Sequence, residues 1–220
     1  MTSPHRAWIA FLALWAAMAL PPSGQCRDTS GHERERIDLL KLIDLKKDSV
    51  AGTWTFEEGT LVTTGKPFER IQIPYIPPEE YDVVVVSDRK GGSNSLNLGL
   101  ALGEVQFMVI LDAQINGELA SGLDLVDGVE FYRNVTCTKD NPFIGDKPNL
   151  VVCSVRKTRI SVKVNGKRII DWKADTHRLS LFAQWKVPEK NTLFLGTWTG
   201  VVRYHKLELI PVSGRGRGLR

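Results

Sequence analysis

The stretch that most constrains the fold of this chain is Asn149 to Trp172, NLVVCSVRKTRISVKVNGKRIIDW. Leu150–Val155 and Ile160–Val164 are rich in β-branched residues and alternate apolar with polar, the period of a half-buried strand. Between Val164 and Lys167 lies Asn165-Gly166. That pair forms a two-residue type I′ turn at least cost, because both positions need positive φ. Lys167–Trp172 returns as the partner strand. The spacing therefore predicts an antiparallel meander, with Ser161, Lys163 and Lys167 on a wet face and Ile160, Val162 and Val164 on a dry one.

The rest of the chain repeats this grammar. Trp54 and Phe56 share a face, Glu58-Gly59 marks a turn, and Leu61-Val62 continues beyond it as a hairpin. Arg70–Ile73 is a short strand ended by Pro74, and Pro77-Pro78 blocks its continuation. Tyr81–Ser87, with four consecutive valines, is predicted to be a strand buried on both faces. Leu96–Leu102 and Val105–Leu111 pair across Gly103-Glu104. Asp112–Gly122 reads as a loop, and Leu123–Val126 and Val129–Tyr132 as short edge strands. Leu193–Trp198 and Val201–Ile210 are predicted to close the fold as a hairpin across Thr199-Gly200. Ile37–Leu45 reads as an opening strand, with a short helix as the alternative, and Ala174–Lys190 as irregular chain. About a dozen strands, turn signals every ~8–12 residues and no long helix make this an all-β sandwich or closed barrel.

The ends are different in kind. Ala7–Leu20 (AWIAFLALWAAMAL) follows a single positive charge at Arg6. This apolar run is shorter than the ~20 residues of a membrane span and fits the core of an export signal. Residues 1–19 are accordingly read as a signal peptide, with Ala17-Met18-Ala19 as the cleavage site, a retained anchor being the alternative. Residues 20–36 are a polar linker, 37–212 the β domain, and 213–220 (SGRGRGLR) a flexible basic tail. No second run of that apolar length occurs, so no membrane span is expected after signal removal, and the protein is expected to be periplasmic, surface-held or secreted. The charge balance, 29 basic to 25 acidic residues, is too even to suggest a nucleic-acid partner. Export permits a disulfide, with Cys137 and Cys153 as the candidate pair. Cys153 also alternates with Val151 and Val155, as a small core hydrophobe would. Cys26, close behind the signal, raises lipidation.

Motifs that would name a chemistry are missing. The four histidines lack metal-ligand spacing, and neither a nucleophile elbow nor a phosphate or dinucleotide loop occurs. Asp124, Asp127 and Glu130 are acidic, but their spacing mixes strand faces and crosses Gly128, so a solvated turn is expected, and a calcium site there lacks the usual ligand rhythm. Asn134-Val135-Thr136 is a glycosylation sequon. Four tryptophans follow the signal. Trp54 is assigned to the core, whereas Trp185 and Trp198, in or beside loop-rich segments, are candidates for an exposed aromatic platform of the kind that stacks on sugar rings.

Several of these segments recur together elsewhere. Asp48 to Leu61 has the form D-x-V-x-G-x-W-x-F-x-x-G-x-L. Tyr81–Val86 follows, then a loop with Asn94-Ser95. The meander CSVRKTRISVKVNGK comes next, and Val202–Ile210 runs up to Pro211. Together they resemble the concanavalin A-like jelly-roll superfamily, in particular the bacterial domain related to 3-keto-disaccharide hydrolases, over about Asp38 to Val212. The resemblance implies a two-sheet antiparallel jelly roll and a carbohydrate ligand. It brings in Asn94, Gln106 and Asp112 as polar ligand contacts, with Gln106 and Asp112 as catalytic candidates. Glu104-Val105-Gln106 matches the family's acidic strand, but the next acid, Asp112, comes later than the pattern asks. The sequence thus reads as an exported carbohydrate-binding or envelope-associated module that needs no cofactor. A glycoside hydrolase acting on 3-keto-disaccharides and a structural or protein-interaction domain of the envelope are the alternatives.

Overall fold

The computed structural model describes residues 35–92, 95–145 and 147–220. The chain divides into Met1–Glu33 and Arg34–Arg220, and the described residues all lie in the second unit. The segment expected to be an export signal, Cys26, almost all of the expected linker and Asn94 fall outside them.

The meander forms as its sequence requires. Asn149–Arg156, Arg159–Val164 and Lys167–Lys173 pair antiparallel in order. Asn165 and Gly166 take φ of 49° and 83°. The Asn165 carboxamide also accepts from Leu150 N–H at 2.9 Å, tying the turn to the neighbouring strand. Ile160, Val162 and Val164 are fully buried. The sheet continues through Glu80–Gly91 to Val201–Ser213, Thr60–Val62 and Thr55–Glu57, and Ile37–Asp38 also pairs with Val201–Ser213. Among the described residues it has eight strands.

A six-stranded sheet covers its dry face, in the order Glu118–Leu123, Val105–Ile115, Leu96–Leu102, Leu193–Thr197, Glu69–Ile73 and Ser49–Ala51. Strand alternation sends Leu96, Leu98, Leu100 and Leu102 into one core with Tyr81, Val83, Val85, Val151 and Cys153. Trp54 joins that core, its ring stacked on Tyr204 at 6.3 Å. The Tyr81 hydroxyl bridges the two layers, donating to the Ala101 carbonyl at 2.7 Å and accepting Ala101 N–H at 3.0 Å. The protein is an all-β, two-sheet antiparallel jelly-roll sandwich.

Five expectations need correcting. Leu193–Thr197 and Val201–Ser213 do not form a hairpin, because Thr199-Gly200 carries the chain from one sheet to the other. Asp112–Gly122 is not a loop. Val105–Ile115 turns back as Glu118–Leu123 through Asn116-Gly117, with φ of 51° and 85°. Ile37–Leu45 splits into a two-residue strand and a short 3-10 turn, with one α-helical turn, Leu45–Asp48, beyond it. Glu80–Gly91 buries one face fully, Tyr81, Val83 and Val85, while Val84 and Val86 stay half-buried on the other. The C-terminal residues do not hang free: Arg217–Gly218 pairs with Tyr75–Ile76, and the Arg220 guanidinium donates to Asp48 at 3.0 Å.

Cys137 and Cys153 are not bonded to each other. Cys153 is buried between the sheets, whereas Cys137 packs against a separate apolar cluster with Met108 and Phe131. Burial pushes the Cys153 thiol up to about 12, so it behaves as the small hydrophobe its alternation with valine allowed.

Candidate functional site

The outer face of the six-stranded sheet, opposite the shared core, carries Asn97, Gly99, Met108, Ile110, Phe194 and Gly196. Such a face would ordinarily be wet and polar. Here it is apolar, bare of side-chain bulk at its two glycines, and two loop segments fold over it. A Cβ on Gly99 would lie 1.9 Å from the Phe194 ring, and one on Gly196 would lie 2.9 Å from Trp185 Cζ3. Those two glycines let large rings lie flat on the sheet. Trp185 and Phe194 then gather Met108, Ile110, Phe131 and Val187 into a second, smaller apolar cluster.

A groove of about 340 Å³ remains open on this face. One wall is an aromatic trio. Phe68 meets Trp198 edge-on at 4.4 Å and Trp185 at 5.2 Å. Phe68 holds its place with φ of 58°, a left-handed backbone that a bulky side chain adopts only when its surroundings dictate it. The neighbouring Glu69 supplies that constraint. Its buried carboxylate accepts backbone N–H groups from Thr53 at 3.1 Å, Thr64 at 3.0 Å, Gly65 at 2.7 Å and Lys66 at 3.1 Å.

The opposite wall comes from the segment after Leu123. Phe131 and Tyr132 meet edge-on at 5.3 Å, and Arg133 lies over the Tyr132 ring. Asn134 anchors this wall. Its carboxamide donates to the Leu123 and Val129 carbonyls at 2.8 and 3.0 Å and accepts Thr136 N–H at 2.9 Å. The sequon asparagine is therefore an internal clamp, with its amide nitrogen already used.

The floor is polar at one point. Asn97 is 1% exposed and its side-chain oxygen has no hydrogen-bond partner among the described residues. Beside it on the groove lining lie two carboxyls, Asp124 and Glu130. Asp124 is 6% exposed, not a residue of a solvated turn. It accepts Phe182 N–H at 2.7 Å. Burial pushes its carboxyl up to about 6, the Phe182 bond opposes that, and the negative charge of Glu130 adds to it. Glu130 moves the other way, held below its ordinary value by the Tyr132 hydroxyl and by Arg133. The third acid of that stretch, Asp127, forms an exposed pair with Arg178. No group of three His, Cys, Asp or Glu residues able to hold a metal occurs among the described residues.

The residues singled out by sequence separate. Trp185 and Trp198 line one wall on either side of Phe68, but Trp198 is 37% exposed whereas Trp185 is 5% exposed and buried. Gln106 lies away from the groove, where its amide donates to the Thr192 carbonyl at 2.7 Å. Asp112 lines a separate polar cleft, paired with Arg89 and accepting Asn141 Nδ2 at 2.8 Å. Asp124 and Glu130 belong to the acidic run expected to be a solvated turn, and Asn97, Phe68 and Tyr132 went unassigned. Of these three, Asn97 carried a signal in the sequence, as the one amide among the leucines of LNLGLAL.

No family model matches the chain, and no curated protein matches it by sequence. Solved structures do. A Bacillus subtilis protein described as having a galectin-like fold superposes with a TM-score of 0.55 at 12% identity, over 82% of this chain and 96% of its own. The carbohydrate-binding module CBM66 from Bacillus subtilis gives 0.53 at 11% identity, over 74% and 94%. The exoplasmic/lumenal domain of VIP36, in a form bound to Ca²⁺ and Man2, gives 0.55 at 11% identity, over 81% and 88%. The likeness is one of fold. It supports a two-sheet antiparallel β-sandwich of the galectin-like kind.

Proposed function

We propose that this chain is an exported saccharide-binding module whose ligand lies in the groove on the outer face of the six-stranded sheet. The unpaired Asn97 oxygen carries this reading. A buried acceptor without a partner costs about 1–3 kcal/mol, and a ligand hydroxyl reaching the groove floor would satisfy it. The exposed part of the Trp198 ring gives the C–H face of a sugar somewhere to pack, and Asp124 and Glu130 meet its remaining hydroxyls. The carbohydrate-binding module and the Man2-bound VIP36 domain among the structural neighbours support a glycan as the ligand class. A glycan-array screen of the protein beside Asn97→Leu and Trp198→Ala tests it. Binding by the protein that both variants lose supports the groove as the site, and binding that survives both substitutions rejects it.

A second reading is favoured by the pair of carboxyls. Two acids pushed in opposite directions within one groove are the arrangement that general acid–base hydrolysis of a glycoside needs. Asp124 would protonate the departing glycosidic oxygen as the C–O bond breaks, and Glu130 would take a proton from the water that forms the new bond to the anomeric carbon. Turnover of aryl glycosides, lost in Asp124→Asn while binding is kept, would choose hydrolysis over binding alone. The 3-keto-disaccharide is one substrate class for that assay.

A further inference from the structure

Across Gln114 from the aromatic groove lies a second cleft, of about 520 Å³, and Gln114 lines both. Leu96 lines the second cleft and Asn97 the first, so the two clefts open on opposite faces of the Leu96–Leu102 strand and meet at its end. Among the described residues, Gln114, which is exposed, is the one that lines both clefts. Each volume falls within the ~300–1,000 Å³ of ordinary ligand sites.

The chemistry of the second cleft is different. Asp88, Arg89, Asp112, Asn141 and Asn149 line it, and each is already fixed by the protein. Asp112 pairs with Arg89. Asn141 donates to Asp112 at 2.8 Å and accepts Phe143 N–H at 3.1 Å. Asp88 accepts from Arg203 Nε at 2.6 Å and lies 3.3 Å from His205 Nε2. The Asn149 oxygen accepts Ile144 N–H at 2.8 Å and Asn165 Nδ2 at 2.7 Å. Its charges are thus matched internally and its polar groups are held in one geometry. Among the described residues, such a surface shows no excess charge with which to select an ion. It offers preordered polar edges to a neutral, hydroxyl-rich ligand, which saves the ordering cost that a mobile polar surface would incur.

Building on the saccharide reading, we propose that this cleft is a second subsite of the same path, so that the protein binds a neutral glycan chain lying across Gln114. The aromatic groove grips one end of the segment, and the polar cleft takes the units that follow.

Leu119 provides the means to separate the two. It is exposed, lines the polar cleft and not the aromatic groove, and pairs directly across the hairpin from Gln114. Opposite residues in an antiparallel pair project to the same side, so Leu119→Trp or Leu119→Arg puts bulk into the polar cleft at a surface position. The experiment titrates the protein, both Leu119 variants and Trp198→Ala with cello-, malto- and laminari-oligosaccharides of increasing length, from the disaccharide upward. The expected result is at least tenfold tighter binding of a tetrasaccharide than of its disaccharide. That gain is lost in both Leu119 variants with disaccharide affinity unchanged, and Trp198→Ala weakens every length. Affinity that stops rising at the disaccharide, or a length gain that survives at Leu119, overturns the second subsite and leaves the groove standing. Failure of the protein to bind any of these oligosaccharides overturns the saccharide reading and this inference together.

Discussion

An unpaired acceptor at the bottom of a groove is a standing cost to the free protein, and at Asn97 that cost has no structural return. Asn97→Leu removes it, so the variant is expected to melt at or above the parent temperature while its saccharide affinity falls at least tenfold, which is about 1.4 kcal/mol. Thermal melts and isothermal titration on the same samples check both halves; unchanged affinity would take Asn97 out of the site. Asp124 makes a prediction of opposite character. Its carboxyl is pushed up to about 6 in the folded protein, against about 4 in an unfolded chain. Between those values the folded state keeps a proton that the unfolded state has given up. Stability therefore falls as pH rises through that window and levels off above about 6. The carboxamide of Asp124→Asn cannot ionise but can still accept from Phe182. In urea unfolding, this variant is therefore expected to gain on the parent by up to about 3 kcal/mol between pH 4 and pH 7. A difference that stays flat with pH would mean that the carboxyl is not held in its buried setting. If the groove hydrolyses glycosides, the same group sets the alkaline limb of kcat/KM near its pKa.

The elements divide into those whose neighbours in sequence determine them and those whose neighbours in space do. The meander, the Thr55–Val62 hairpin and the Leu96–Ile115 hairpin were readable because β-branched alternation and a turn residue pair lie within one short window. Asn116-Gly117 carried the same turn signal as Asn165-Gly166 and was readable too. Which sheet a strand joins was not readable. Thr199-Gly200 looks like a hairpin turn, yet the Thr197 hydroxyl donates to the Gly200 carbonyl at 3.0 Å and accepts Gly200 N–H at 3.1 Å in a crossing between layers. The groove was hidden for a related reason. Its walls come from Phe68, the Phe131–Tyr132 pair, Trp185 and Trp198, which no local period links. The glycines beneath them, Gly99 and Gly196, give clearance for rings that come from elsewhere in the chain, which no local pattern announces. Gly196→Val is expected to lift Trp185 from the sheet, because even a Cβ there would lie 2.9 Å from the ring and 3.1 Å from the Glu69 carbonyl. Overpacking of this kind costs about 1–3 kcal/mol. The near-ultraviolet tryptophan signal should change and saccharide affinity should drop at least tenfold, whereas an intact signal with intact binding would show that the face has slack.

At the scale of the whole molecule, two apolar cores share one sheet. The larger, between the layers, holds strands remote in sequence, so opening it requires separating the sheets. The smaller, on the outer face, is closed by loops and rings at the surface, and opening it requires only their displacement. Cys153 and Cys137 report on the two separately, since Cys153 belongs to the first core and Cys137 packs on the second. With Cys26 and Cys137 replaced by serine, Cys153 is a single probe. Its thiol is fully buried and is pushed up to about 12, so a thiol reagent at neutral pH should reach it only through chains in which the sheets have parted. Its labelling rate is then expected to rise with urea along the slope of global unfolding. Cys137, probed alone in a Cys26→Ser, Cys153→Ser chain, should label faster in native buffer, with a much shallower urea dependence. A saccharide in the groove should slow both reactions, and by the same factor if opening the outer cluster abolishes binding, because the ligand stabilises the native state equally against any opened form that cannot hold it. Equal slopes at the two thiols would mean that the outer cluster opens only when the sandwich does, and the groove would then be a rigid extension of the main core instead of a separately closing layer.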